Sequence, residues 1–502
     1  MSRGYAIAAG HPLTVQAGAD VLAAGGSAVD AVIAAAAMAM VAEPVLAGLL
    51  GGGFLMLRRA DGETRLLDLF VDTPLAKRAL DDCDLREIDA DFGGVTQRFR
   101  IGAATIATPG LAPGLWEAHA VAGRIPMGEL LAPAVKAARQ GVVVSAFQAR
   151  LGEIIAPILL ASNGARVLEA DGEGQTLGAG AVRRNPAFAD VLEVFGLEGP
   201  DFVQRGEVGA ALMILAAEGG HLTAADLTRW RPAWRRPIEI TRGSGESALS
   251  LSLNPPPALG GVLTALPVAL LPPGSTAATR AAGFALTAAA RAESGIDHAP
   301  AAGAAALADP AQIARLQVIL EAGPGAWLRA AARAAQGGAS VRGTTHISVI
   351  DAAGEAAALT LSNGEGCGLV LPGTGIMPNN MLGEDDLVPG AATGDPLGWT
   401  PGQRLSSMMA PMIAEWPDGR VAALGSGGSN RIRTALSAVA CRLADTTPPG
   451  RLPDLEAAID APRLHVEGVG EAAVLDYERP GLSDAEEEAL RATWPTGCAA
   501  PR

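Results

Sequence analysis

Cysteine is scarce in this chain. There are four in 502 residues, Cys83, Cys367, Cys441 and Cys498. None is paired at a spacing that holds a metal or forms a redox couple, so they read as reduced, mostly buried thiols. Basic residues are outnumbered, 38 against 53 acidic, for a formal net charge of −15. That balance argues against nucleic acid or an anionic membrane surface as partner. Long apolar runs are missing too. The most apolar stretch, 28–42, is too short to span a bilayer and contains Asp30, and 259–271 is interrupted by glycine and proline. Met1-Ser2-Arg3-Gly4-Tyr5 passes into a globular pattern without the apolar segment of a secretory signal. The expectation is a soluble, cytoplasmic protein. No Walker lysine or Gly-x-Gly-x-x-Gly accompanies the glycine-rich stretches, and no metal cluster or cofactor motif is visible, so no cofactor is expected. With 49% hydrophobic residues, the chain can bury a large core, as one domain or several.

What the sequence does contain is organised around residues 344–363. His346 to Ile350 reads as a strand, Asp351 to Glu355 with Gly354 as a turn, and Ala356 to Ser362 as a returning strand. Thr360 and Ser362 are two apart and share a face. A threonine hydroxyl is a weak nucleophile and needs a nearby base. If the bond before Thr344 is cut, its freed α-amine becomes that base, and Ser362 can orient or relay through hydrogen bonds. Taken alone, the pattern favours the plainer reading, a hairpin whose threonines serve β-propensity.

Thr344-Thr345-His346-x-Ser348-Val349, then Gly354, then Thr360-x-Ser362, resembles the start of the small subunit of γ-glutamyltransferases, also called γ-glutamyltranspeptidases or glutathione hydrolases. The resemblance implies autocatalytic cleavage between Gly343 and Thr344, with Thr344 as the N-terminal nucleophile. Residues 1–343 would form a large piece and 344–502 a small one, a heterodimer in one globular unit. It implies an α+β fold, the four-layer αββα sandwich of N-terminal nucleophile hydrolases. It makes Gly427 and Gly428, in Gly425-Ser426-Gly427-Gly428-Ser429-Asn430, an oxyanion hole whose N–H groups open a helix. The apolar residues of that helix, Ile432, Leu436, Val439 and Leu443, share a face. Ser406 and Ser407 match serines that hydrogen-bond the substrate carboxylate, Glu384 an acid that meets the substrate amine, and Asn363 a binding asparagine.

The chain also departs from the pattern. Phe70 stands where the family has an arginine that grips the substrate α-carboxylate, a two-toothed grip no phenylalanine supplies. Arg404 is the candidate substitute. Met381 replaces a usual glutamine, and the C-terminus, ending at Arg502, looks shortened. The default substrate is a γ-glutamyl amide such as glutathione, with water or an amine as acceptor. Two alternatives stand beside it: a related acylase or amidase with another acyl group, and an uncleaved, non-catalytic binding homologue.

The rest reads as scaffold. Tyr5 to Ala9 is a strand that His11-Pro12 ends. Thr14 caps a helix that stops at Gly25-Gly26, Ser27 caps a buried helix over 28–42, and Gly51-Gly52-Gly53 lets backbone pass close to something. A helix starts at Leu115, a helix pair spans 125–141, and Thr223 with Asp226 forms a capping box. Residues 336–343 read as a flexible loop suited to cleavage and 363–368 as a mobile glycine loop.

Overall fold

The structure, a computed structural model, describes all residues except 1–3, 92–95, 325, 328–342, 386, 389–393, 468–472, 479–480 and 495–502. The elements that place the site, in chain order, are β1 (Ala6–Ala9), α1 (Pro12–Ala23), α2 (Ala28–Ala42), β2 (Gly52–Arg58), β3 (Thr64–Leu69), β4 (Ala233–Arg235), β5 (Ile238–Arg242), β6 (Leu249–Leu253), α3 (Gly260–Leu270), β7 (Thr345–Ile350), β8 (Ala356–Ser362), β9 (Met412–Glu415), β10 (Val421–Leu424) and α4 (Arg431–Thr446). They fall into two units, each with its own core. One comprises Met1–Arg235 and Arg342–Leu405, the other Arg236–Val341 and Ser406–Arg502.

The first unit holds a six-stranded antiparallel sheet in the order β1-β7-β8-β2-β3-β4. Its principal helix is α2, fifteen residues, all of them buried. A helix apolar all round must sit inside. Its start is fixed by a capping box: Ser27 Oγ accepts from Asp30 N (3.0 Å) and Asp30 Oδ2 from Ser27 N (2.9 Å). The Asp30 carboxylate also accepts from the Arg124 and Ile125 amides, which accounts for an acid in so apolar a helix. The β7–β8 hairpin forms where the sequence places it. Its turn is held by Asp351, whose Oδ1 accepts from the Ala353 and Glu355 amides. The other oxygen, Oδ2, accepts from Ala28 N at the start of α2 (3.0 Å).

The glycine run before β2 has a specific cause. A Cβ at Gly51 would stand 2.2 Å from the Ser362 carbonyl oxygen, and one at Gly48 would stand 2.7 Å from the Asn363 amide. What passes close to these glycines is the end of β8.

The second unit holds the four-stranded antiparallel sheet β10-β9-β6-β5. Its core includes α3 and the face of α4 that carries Ile432, Leu436 and Leu443, with Val439 half-buried beside it. The capping box at Thr223 and Asp226 is present, in the first unit.

Several expectations need correction. Thr14 does not cap α1; His11 does, through Nδ1 accepting from Leu13 N (3.2 Å), because Pro12 occupies the first helical turn. The helix expected from Leu115 begins at Leu111, and 125–141 holds one helix, Met127–Gln140, rather than a pair. The loop 363–368 is buried throughout, with Cys367 at 0% exposure. Of the four thiols, Cys367 and Cys441 are buried and Cys83 is half-buried; all three are free. Cys498, the C-terminal stretch and the expected cleavage loop up to residue 342 lie outside the described residues.

Candidate active site

The hairpin brings the Gly343–Thr344 peptide bond to the end of β8. The Ser362 hydroxyl donates to the Gly343 carbonyl oxygen at 2.7 Å and accepts from the Gly364 amide at 2.9 Å. So the one carbonyl a neighbouring Thr344 Oγ would attack already carries a hydroxyl donor at hydrogen-bond distance. The Gly343 N–H donates to Glu365 Oε1 at 3.2 Å. Thr344 is half-buried and Thr345 fully buried.

The other hydroxyls of the hairpin are committed elsewhere. Thr360 Oγ1 pairs with His346 Nδ1 (2.8 Å) and Ser348 Oγ with His346 Nε2 (2.9 Å). Burial lowers the pKa of His346 to about 3, so the ring stays neutral at ordinary pH, held between the two hydroxyls. Thr345 Oγ1 lies 3.5 Å from Glu43 Oε1, and Thr14 Oγ1 donates to Glu43 Oε2 at 3.3 Å. Burial pushes the Glu43 carboxyl up, against the pull of these two hydroxyls.

Asn363 and Glu384 both sit in this unit and both are buried, at 3% and 6% exposure. Glu384 is therefore not a solvated loop acid. A Cβ at Gly364 would stand 2.1 Å from Asn380 Oδ1 and 2.7 Å from Glu384 Oε1, which places the acid beside the residue that follows Asn363. Asn363 Nδ2 donates to Met377 O (3.0 Å), while its buried Oδ1 meets no donor among the described residues. Asn380 Oδ1 accepts from the Glu365 amide at 2.9 Å.

Phe70 lies in the core. Its ring is buried at 1% exposure and stacked on Phe54 with centroids 5.2 Å apart. Arg404 is engaged within the first unit. It pairs with Asp68 (2.6 Å) and Asp72, donates to Arg231 O (2.8 Å) and lies over the Trp230 ring.

Ser406, Ser407, Gly427 and Gly428 belong to the second unit. Ser407 Oγ accepts from Met409 N (3.1 Å), and its carbonyl accepts from the Leu259 and Gly260 amides, so it shapes the entry to α3. Ser406 is half-buried. Gly428 has φ +117°, and its carbonyl accepts from Arg431 N, which opens α4. Among the described residues neither the Gly427 nor the Gly428 amide donates to a protein acceptor. Behind them Glu467 bridges Asn430 Nδ2 (3.5 Å) and His465 Nε2 (2.7 Å).

Sequence reasoning missed Glu365 and Glu43. Both left a signal: one is an acid inside an otherwise neutral glycine loop, the other an acid closing a helix without a polar face. Among the described residues no cluster of three or more metal-ligating side chains occurs, and no helix is long and apolar enough to cross a membrane.

The γ-glutamyltranspeptidase family model matches residues 14–494. An Acylase ACY 1 proenzyme of Pseudomonas sp. (strain SE83) is 32% identical over 508 residues, covering 97% of this chain and 86% of its own. A glutathione hydrolase proenzyme of Pseudomonas aeruginosa is 30% identical, covering 92% of this chain and 83% of its own. The crystal structure of a cephalosporin acylase from Bacillus halodurans matches 100% of this chain and 90% of its own, with a TM-score of 0.76 at 21% identity. That likeness concerns the fold alone, and it is the α+β, four-layer αββα fold expected from the sequence.

Proposed function

The chain belongs to the γ-glutamyltranspeptidase family, and on that premise we propose that it is a self-cleaving threonine amidohydrolase with Thr344 as nucleophile. The observation that carries this reading is the Gly343 carbonyl held by Ser362 Oγ at 2.7 Å, directly before Thr344. In self-cleavage the Thr344 Oγ adds to the Gly343 carbonyl carbon and the C–N bond breaks. The resulting ester is hydrolysed by water, leaving a Gly343 carboxylate and a free Thr344 α-amine and hydroxyl. In turnover that amine takes the Oγ proton as Oγ adds to a substrate amide. The amine product leaves with the proton, and water or a second amine accepts the acyl group. The Gly427 and Gly428 amides hold the oxyanion in this reading, each contributing about 2.7–4 kcal/mol.

γ-Glutamyl amides such as glutathione are the substrates the family resemblance supplies. A second reading, an acylase with a different acyl group, is favoured by one observation: neither Phe70 nor Arg404 offers a guanidinium to an α-carboxylate. An intact-mass spectrum of purified protein, with Thr344→Ala alongside, tests the shared chemistry. Two fragments meeting at 343–344 in the wild type only support it. A persistent single 50.6 kDa species refutes it and favours a non-catalytic protein. Release of glutamate from glutathione by the cleaved form then separates the two readings.

A further inference from the structure

The strand that follows Thr344 is splinted by α2, and the splint is fastened at both ends by an acid. At the turn end, Ala28 N at the start of the helix donates to Asp351 Oδ2 (3.0 Å). At the open end, Glu43 follows the last helical residue, and its Oε1 lies 3.5 Å from Thr345 Oγ1. The lengths match. Fifteen helical residues rise about 22 Å at about 1.5 Å each, and the strand from Thr345 to Asp351 spans about 20 Å at about 3.4 Å per residue.

Glu43 also fills a gap in the sheet. The ladder between β1 and β7 stops at Ala9, opposite Ile347. Thr345 is therefore paired with a neighbouring strand on one side only, opposite Leu361 of β8. On its other side the chain bends away through Gly10 into α1. The Glu43 carboxyl occupies that space: a Cβ at Gly10 would stand 2.7 Å from Glu43 Oε1 and 3.2 Å from Thr345 Oγ1. Glu43 is 1% exposed. Among the described residues its carboxyl meets the Thr14 hydroxyl (3.3 Å), the Thr345 hydroxyl and no cation. Both contacts are long, yet they are what offsets the burial of this carboxyl, and in a dry site such contacts count for more than they do in water.

A cut at 343–344 changes what this contact does. Before the cut, Thr344 is held by the chain on both sides. Afterwards Thr344 is a terminus, joined to the fold through Thr345 alone, and chain ends fray unless they are tied down. On the threonine-nucleophile reading, we propose that Glu43 is a positioning residue for the nucleophile: through Thr345 it ties the new N-terminus to α2, so that the Thr344 hydroxyl and amine keep their place at the end of β8. Glu43 acts on the side chain of residue 345 and takes no part in making or breaking bonds.

The test compares cleaved wild-type protein with Glu43→Gln, Glu43→Met, Thr345→Val and Gly10→Ala. Gln keeps the size and a polar partner for the hydroxyls, whereas Met keeps the size alone. Val keeps the shape of Thr345 without its hydroxyl, and Ala at residue 10 crowds the carboxyl from the other side. Hydrogen exchange read by mass spectrometry needs no substrate. The 345–347 amides are expected to exchange about tenfold faster in the Met, Val and Ala variants, with Gln within about threefold of wild type and β9 and β10 unchanged throughout. Turnover of γ-glutamyl or butanoyl p-nitroanilide, whichever the wild type accepts, should lose about 10- to 100-fold in kcat in the same three variants, with KM within about threefold. A general weakening of the fold would instead speed exchange in both sheets. If Glu43→Met does not fold, Thr345→Val and Gly10→Ala decide. Wild-type exchange at 345–347 in the Met, Val and Ala variants overturns the role of Glu43 while leaving the nucleophile reading intact, and so does a Gln variant as loose as Met. A chain that never cuts at 343–344 removes the nucleophile reading, and the role of Glu43 falls with it.

Discussion

Removing the Ser362 hydroxyl should slow self-cleavage far more than it weakens the fold. Ser362→Ala deletes the 2.7 Å donor on the Gly343 carbonyl, where negative charge develops as Thr344 Oγ adds. Loss of a donor so placed costs about 10²–10³ in rate. The same deletion strands the Gly364 amide, which now donates to Ser362 Oγ at 2.9 Å. A buried orphan of this kind costs about 1–3 kcal/mol of stability. The assay is an intact-mass time course of freshly purified precursor, with thermal melting alongside. The expected result is conversion slowed about 100-fold and a modestly lower Tm, with Ser362→Thr, which keeps a hydroxyl, recovering most of the rate. Wild-type conversion in Ser362→Ala would refute the assignment. So would equal slowing in Ser362→Thr, because the hydroxyl would then not be the cause.

Three further outcomes follow from the geometry. His346 titrates well below the usual 6.5 of an unfolded histidine, at about 3. Between those values the unfolded chain binds the extra proton, so stability should be complete above about pH 6.5 and fall by up to about 1.4 kcal/mol per pH unit below it. Melting at pH 5 and pH 7 should show a smaller difference in His346→Gln than in wild type. Gly51→Ala puts a Cβ 2.2 Å from the Ser362 carbonyl oxygen, a contact with backbone that cannot yield cheaply. It should cost at least about 1–3 kcal/mol and slow self-cleavage by displacing the end of β8, read by urea unfolding and mass spectrometry. Arg404→Ala leaves Asp68, at 0% exposure, without one of its two arginine partners. It should cost about 3–5 kcal/mol in chemical denaturation, with a Lys substitution failing to restore the fork. A stable, catalytically silent Arg404→Ala would mean that the arginine serves substrate instead.

The local physics of the hairpin was readable because three independent cues agree there. β-Branched alternation marks the first strand, Gly354 marks the turn, and Asp351 is the residue whose short carboxylate satisfies the turn amides. The α2 helix was readable from Ser27 as its cap and from a run with no polar face to misplace, while the part Asp30 plays in the capping box came only with the fold. Thr14 misled because cap residues are defined by where the chain turns, and Pro12 moves that point three residues earlier, to His11. The 363–368 loop misled because glycine content reads as freedom, whereas here the glycines pack against Asn380, Glu384 and Met377. Neither Glu43 nor Glu365 could be given a role from the sequence. Their partners are Thr14 and Thr345 for one and Gly343 for the other, contacts of the folded chain that no spacing rule encodes. Resemblance supplied Gly427 and Gly428, and that their amides meet no acceptor among the described residues could not have been found by pattern alone.

The strand order has a consequence for the chain after it is cut. In the first unit β7 and β8 follow residue 343, yet they lie between β1 and β2, which precede it. Ala6–Ala9 zips onto one side of the inserted pair and Gly52–Arg58 onto the other, through four and seven paired positions. In the second unit the strands from either side of residue 343 meet along one seam, β6 against β9, through four paired positions. Two polypeptides made by a break at 343–344 would therefore be woven together, and pulling one free means unzipping both sheets. The knife can fall on a single peptide bond without loosening the fabric, because the stitches on either side of it come from opposite ends of the thread.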